Sequence, residues 1–465
     1  MTFSRRSSNR SSSDRSPSDR SRSLRARTLT ATCAVLLPAA IAASGMTPAA
    51  AAPGGFYGSV EGSASKAAAT GSGKSVVGSL PNYDPDGFYS SLPLQVKGKP
   101  GEIIKTAPSN FALGIPFVDW TNSEAQRVAY VSTNSRGETV PVTGTVLIPR
   151  APYTGGGERP LLVVAPGTQG SGDACAPGKL LPMGLEYEAA PVAAALSRGW
   201  AVALTDLNGL GTPAQHTYMN RVDQGNATLD MARAAKNMPR VPKAAPVAVW
   251  GYSQGGGSSA AALELAHTYA PEINLKAGYA GGVPADLAMT ATAIDNGPLA
   301  AALGYTLNGF LVSNPEIRDA VKEKMNDKGK EFVRRTASEC IPESLARHAY
   351  TDTRRLTKNG ESLTELLEQE PFKKLVDAQR IGSRPPQVPV YVGHGTNDDT
   401  IPVEQSRRMA RQWAEGGTKV NYAEHNIPRT FPLGDHMVPM ITHLLPALDW
   451  VDNVIHDRPV QFNKA

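Results

Sequence analysis

Ser253, Asp398 and His436 have the residue types, and the order along the chain, that nucleophilic catalysis by a hydroxyl needs. A serine hydroxyl attacks a carbonyl only when a base takes its proton. That base works only when an acid holds it in the right tautomer. Ser253 lies at the centre of Gly251-Tyr252-Ser253-Gln254-Gly255, after the apolar run Val247-Ala248-Val249-Trp250 and before a small-residue stretch reaching Leu263. A strand running into Gly-x-Ser-x-Gly and a helix running out is the sequence form of a nucleophile elbow, which exposes the serine on a tight turn. In a chain with 44 glycines the five-residue pattern alone is weak. Its weight comes from the flanking elements and from the partners downstream.

The acid is expected just past a later strand. Val388 to Gly393 reads as that strand, and it leads into His394-Gly395-Thr396-Asn397-Asp398-Asp399-Thr400-Ile401-Pro402. The pattern resembles the acid loop of many α/β-hydrolases and puts Asp398 in the acid position, with Asp399 in reserve. The bland alternative is an Asn/Asp-rich turn that caps the next helix. The base should follow one more strand, read over Lys419–Ala423. Gly434-Asp435-His436, just before an apolar helix from about Met437 to Ile455, makes His436 the base. His425 is its competitor, and His394 reads as part of the His-Gly turn.

A developing oxyanion needs donors aimed at it. One is expected from the backbone N–H of Gln254, the residue after the serine. A second is expected from the loop Pro166-Gly167-Thr168-Gln169-Gly170-Ser171-Gly172, which follows a strand at Pro160–Ala165. Thr168 and Gln169 are equal candidates there.

These loops need a sheet to hold them. Arg127–Thr133 and Val140–Ile148 alternate around Asn134-Ser135-Arg136-Gly137 and read as a hairpin opening the sheet. A helix over Tyr187–Ser197, a strand over Trp200–Asp206 and a helix over Asn226–Lys236 follow. The expected fold is α/β of the α/β-hydrolase type, with a mostly parallel central sheet flanked by helices. Residues 81–283 and 386–465 form the core. Residues 284–385 form a helical lid or cap insertion, far longer than an ordinary connection. Within it, Leu299–Val312 is strongly apolar, and Glu316–Phe332 and Leu363–Val376 read as amphipathic helices.

Composition limits the alternatives. The chain has 465 residues, 41% of them hydrophobic, enough for a large core. The net charge of +5 misleads, because eight arginines and two aspartates in the first 30 residues alone contribute +6, leaving the rest near −1. No basic stripe points to nucleic acid. Residues 1–52 read as a signal peptide: a basic Arg/Ser-rich start, an apolar run from Leu29 to about Ala43, and small residues at Ala49–Ala52. Residues 53–80 read as a flexible Gly/Ser/Ala-rich terminus. No other stretch is apolar enough to span a membrane. Export leaves Cys175 and Cys340 as an even pair, expected to form a disulfide. There is no His-Glu-x-x-His and no paired Cys-x-x-Cys, so no metal and no cofactor are expected.

Taken together, the Pro166 to Gly170 loop, Thr205-Asp206-Leu207-Asn208-Gly209-Leu210-Gly211-Thr212-Pro213, the Ser253 elbow and the Asp398 and His436 loops resemble the secretory lipase family. That group includes the A-type lipase of Candida antarctica and many actinobacterial secreted lipases. The resemblance covers roughly residues 82 to 458. It implies a lid, lipase or esterase activity on acylglycerols, the roles Ser253, Asp398 and His436, and a cystine from Cys175 into the lid. It departs at the oxyanion loop, where the fungal member carries a carboxylate-bearing residue and this chain has Thr168-Gln169. The expected partner is a lipid ester, including one met at an oil–water interface; acyl transfer, polyester or aromatic-ester hydrolysis on the same triad, and a non-catalytic binder of hydrophobic ligands, are the alternatives.

Overall fold

The computed structural model describes residues 80–119 and 121–463. The expected leader over 1–52, and all but the last residue of the stretch 53–80, lie outside the described residues.

Nine strands form one sheet: β1 (Ile103–Ser109), β2 (Ser123–Thr133), β3 (Thr139–Pro149), β4 (Leu161–Ala165), β5 (Ala201–Thr205), β6 (Val247–Tyr252), β7 (Leu275–Gly281), β8 (Val390–Gly395) and β9 (Val420–His425). Their order is β1-β2-β3-β5-β4-β6-β7-β8-β9. The pairs from β1 to β5 along this order are antiparallel, and those from β5 to β9 are parallel. Every residue of β4, β5, β6 and β8 is buried. This is why they read as continuous apolar runs: helices cover both faces of a parallel sheet. Edge strand β1 alternates half-buried and exposed residues instead.

The chain leaves β4 toward β5 on one side, then crosses back to lay β6 on the other. The loops after β4 and β6 therefore diverge and leave a crevice at the carboxyl ends of the strands, where open α/β sheets bind ligands. These are the loops that carry Thr168 and Ser253.

Between β7 and β8 the chain is helical: α1 (Leu287–Ile294), α2 (Ala301–Ser313), α3 (Arg318–Lys324), α4 (Asp327–Thr336), α5 (Ile341–His348), α6 (Leu363–Leu367) and α7 (Phe372–Ala378). Their apolar faces form a cluster of their own, including Leu303, Phe310, Phe332, Leu366 and Phe372, joined by Tyr218 and Met219 from a core loop. Two single helices expected here are each broken. The charged stretch splits at Met325, which bridges to Thr357, and Asn326 then caps the next helix by accepting from Gly329 N–H. A side chain that offers the backbone a cap competes with continuing the helix. The second stretch splits at Pro371, which has no N–H to give to a helix and disfavours helical geometry before it.

The Cys175 and Cys340 sulfurs are bonded to each other. They link the loop after β4 to the start of α5 across 165 residues of sequence. Backbone pairing surrounds the bond: Gly170 bridges Cys340, Ser171 N–H donates to Glu339 O and Ile341 N–H donates to Gln169 O. Replacing either cysteine by serine is expected to cost about 2–5 kcal/mol, because the unfolded chain regains the closed loop's entropy. Urea unfolding would show this as a lower midpoint, and an unchanged midpoint would contradict it.

Candidate active site

The turn after β6 is built by absent side chains. A Cβ on Gly251 would lie 2.0 Å from Gly255 O, one on Gly255 2.2 Å from Ala165 O, and one on Gly256 2.0 Å from Gly281 O. The helix Gln254–Tyr269 (α-helix after β6) can thus begin pressed against three strands. Ser253 joins the two elements at φ 60°, ψ −124°, a conformation that L residues rarely adopt. Its N–H donates to Gly281 O, which helps hold that conformation.

Ser253 Oγ lies 2.9 Å from His436 Nε2. His436 Nδ1 lies 2.7 Å from Asp398 Oδ2. The structure therefore brings together the three residues picked from the sequence. His436 stands in the first turn of the last helix, Gly434–Ile455, rather than in the loop before it. Tyr252 O–H donates to His436 O and ties that turn to the elbow.

Asp398 is held on both oxygens. Its Oδ1 accepts from Thr400 and Ile401 N–H at 2.9 and 2.8 Å. Its Oδ2 faces His436 and, at 3.2 Å, His394 Nε2. Burial alone would raise the Asp398 carboxyl, but the two imidazoles and their hydrogen bonds outweigh it and hold the group well below the usual carboxylate range. His394 belongs to β8 rather than to the following turn. It is fully buried, bound at Nδ1 by Ser406 Oγ and at Nε2 by Ile401 O.

The two competitors stand elsewhere. Asp399 is exposed and accepts from Leu433 N–H at 2.7 Å, tethering the loop before His436. His425 ends β9, stacks on the His443 ring at 3.6 Å and bonds Thr442 Oγ1.

Gln254 opens its helix, so its N–H is among the first four, which lack an intrahelical acceptor. Thr168 and Gln169 separate. Thr168 lines the same cavity as Ser253 and Gln254, and its hydroxyl lies 2.7 Å from the Tyr218 hydroxyl. Gln169 turns away, with its side chain donating to Glu186 and its carbonyl taken by Ile341 N–H.

Two residues not picked from the sequence support this wall. One is Tyr218. The other is His216, fully buried, with Nδ1 2.7 Å from Asn208 O and Nε2 3.0 Å from Gln254 Nε2. A carbonyl only accepts, so Nδ1 carries the proton and Nε2 accepts from Gln254. Burial keeps the ring neutral by pushing its pKa down to about 4. The signal that could have found them is weak: both follow the Gly-Leu-Gly-Thr-Pro loop, on a stretch with no periodicity.

The cavity is walled by α1, α2, α3, α6 and α7 on the side away from the sheet. Leu303, Leu307, Phe310, Leu366 and Phe372 line it, and among the described residues Lys324 is the only charged one that does. A hydroxyl, an imidazole and a carboxylate in hydrogen-bonded series at one wall can move a proton off the hydroxyl. The remaining wall accepts hydrocarbon. Among the described residues no group of His, Cys, Asp and Glu could hold a metal ion, and no helix is long and apolar enough to cross a membrane.

Known proteins share this architecture. Lipase A of Candida antarctica in its closed state matches with a TM-score of 0.68 at 23% identity, covering 83% of this chain and 89% of that one. Lipase A of Moesziomyces aphidis is 24% identical over 79% of each chain. A probable inactive lipase of Mycobacterium tuberculosis is 27% identical over 82% of this chain and 84% of its own. The secretory lipase model matches residues 176–462, most of the described chain. On that match, and on a lipase fold around the Ser253 crevice, the chain belongs to the secretory lipase family of ester hydrolases.

Proposed function

We propose that the protein is a secreted serine ester hydrolase that cleaves acylglycerols or related lipid esters through an acyl-enzyme on Ser253. One observation carries this reading: the series Ser253 Oγ, His436 Nε2, His436 Nδ1 and Asp398 Oδ2, with steps of 2.9 and 2.7 Å, at the wall of a largely apolar cavity. In the reaction, His436 takes the Ser253 proton as Oγ bonds to the ester carbonyl carbon. The carbonyl electrons move onto oxygen. The N–H groups of Gln254 and Thr168 receive that charge. His436 then returns the proton to the departing alcohol as the C–O bond breaks. Water repeats the sequence on the acyl-enzyme, releasing the acid and restoring Ser253. Asp398 keeps the His436 Nδ1 proton in place throughout. The helices over residues 284–385 act as the cap, and the export reading of residues 1–52 agrees with secretion.

The cavity lining predicts the substrate class. Hydrolysis of p-nitrophenyl esters is expected to persist from butyrate to palmitate and to extend to emulsified triacylglycerol. Burying each added CH₂ is worth about 0.8 kcal/mol, so KM should fall as the acyl chain lengthens, until the cavity is filled. Activity confined to acetate would contradict a lipid-ester substrate.

A further inference from the structure

Three consecutive residues hold three consecutive residues of the loop after β4. Glu188 Oε1 accepts from Gly167 N–H at 2.8 Å. Tyr187 O–H donates to Thr168 O at 3.0 Å. Glu186 Oε1 accepts from Gln169 Nε2 at 3.0 Å, and also from Glu188 N–H. Gly167 is what lets them approach, since a Cβ there would lie 2.4 Å from the Tyr187 hydroxyl. We propose that Glu186, Tyr187 and Glu188 are positioning residues that set this loop residue by residue and so keep Thr168 on the wall facing Ser253. The proposal rests on the reading of that wall as the oxyanion site.

The clamp works with neutral carboxyls. Glu186 and Glu188 are both buried, and among the described residues neither is ion-paired with an arginine or lysine. The groups that face them are each other, Asp206, Tyr187 and, toward Glu188, Tyr279. None of these supplies positive charge, and Lys179 stands beyond, against Asp206. The second oxygen of each carboxyl, Oε2, has no hydrogen-bond partner, so a proton there displaces no bond. Burial accordingly pushes Glu188 up to about 7 and, with the neighbouring acids, Glu186 up to about 8. In the unfolded chain the same groups lose their protons near their ordinary value of 4.5. The stability they contribute is therefore full below that value and is lost as pH rises through 7 and 8. Above that range two like charges share a buried site, and the loop they hold loosens.

The test is kcat and KM against pH on p-nitrophenyl butyrate. Wild type is compared with Glu188→Leu, with the double variant Glu186→Gln, Glu188→Gln, and with Tyr187→Phe. Loss of one aligned oxyanion donor costs about 10²–10³ in kcat, so a mispositioned loop in Glu188→Leu is expected to lower kcat about 100-fold, with KM within about threefold. The double Gln variant keeps both Oε1 acceptors and cannot ionise. It is expected to recover most of the rate at pH 6.5 and to lack the fall in kcat expected of wild type between pH 7 and 9. The proposal is overturned if folded Glu188→Leu keeps wild-type kcat, or if the double Gln variant keeps the alkaline fall. Should Glu188→Leu fail to fold, the alkaline limb of the double variant and a kcat loss in Tyr187→Phe decide. Ser253→Ala, run alongside, separates this from the parent reading: undiminished hydrolysis there removes the site itself, whatever the clamp does.

Discussion

Ser253→Ala is expected to lower kcat for ester hydrolysis by about 10⁵–10⁶ while leaving the fold intact. The side chain makes a single hydrogen bond, to His436, and the strained elbow is set by Gly251, Gly255 and Gly256 rather than by the hydroxyl. Removing Oγ therefore deletes the atom that becomes acylated and little else. The residual rate should stay above that of water, because the oxyanion donors and the cavity remain. The check is kcat of purified wild type and variant, with thermal unfolding to show equal folding. Retention of more than a few per cent of the activity in folded variant would sink the assignment.

Asp398→Asn is expected to cost about 10⁴ in kcat. Thr400 and Ile401 N–H both donate to Oδ1, so the asparagine oxygen stays there and its NH₂ turns to His436. A donor facing Nδ1 forces the proton onto Nε2, the atom that must accept from Ser253. Asp399→Asn is the control. That residue is exposed and accepts from Leu433 N–H on one oxygen and, at 3.3 Å, from the Thr400 hydroxyl on the other; asparagine keeps one acceptor for the stronger of these, so its loss should stay below about tenfold. Equal losses in the two variants would refute Asp398 as the acid. The pH consequence has a definite sign. With its carboxyl held well below the usual range, Asp398 stays ionised at working pH, and an acid limb above about pH 4 does not arise from it.

The arrangement of the candidate site was legible because it depends on local motifs. Gly-x-Ser-x-Gly needs its glycines where a Cβ would strike backbone 2.0–2.2 Å away, and such a need leaves a mark in sequence. The Asp398 loop and Gly-Asp-His are marked in the same way, by turn chemistry at strand ends. The core strands were legible because burial on both faces writes unbroken apolar runs. What was not legible depends on contacts between distant segments. Edge strand β1, Ile-Ile-Lys-Thr-Ala-Pro-Ser, carries a lysine and a proline and has no apolar run to announce it. The break at Met325 is set by pairing with Thr357. Thr168 and Gln169 are indistinguishable in sequence, because the contacts that turn the Gln169 side chain to Glu186 and its carbonyl to Ile341 N–H, while Thr168 lines the cavity, come from distant segments. His216 is set by its bonds to Asn208 and Gln254, and Glu186 and Glu188 reach Gln169 and Gly167; such contacts between separate segments are not displayed by a single sequence.

A fluorophosphonate probe tests the central claim most directly. It labels only a serine whose hydroxyl is activated and faces an oxyanion site. The folded wild-type protein should take up one probe, mapped by peptide mass spectrometry to Ser253, and His436→Ala should take up far less. Labelling at another residue, or none while ester hydrolysis persists, would contradict a mechanism through Ser253.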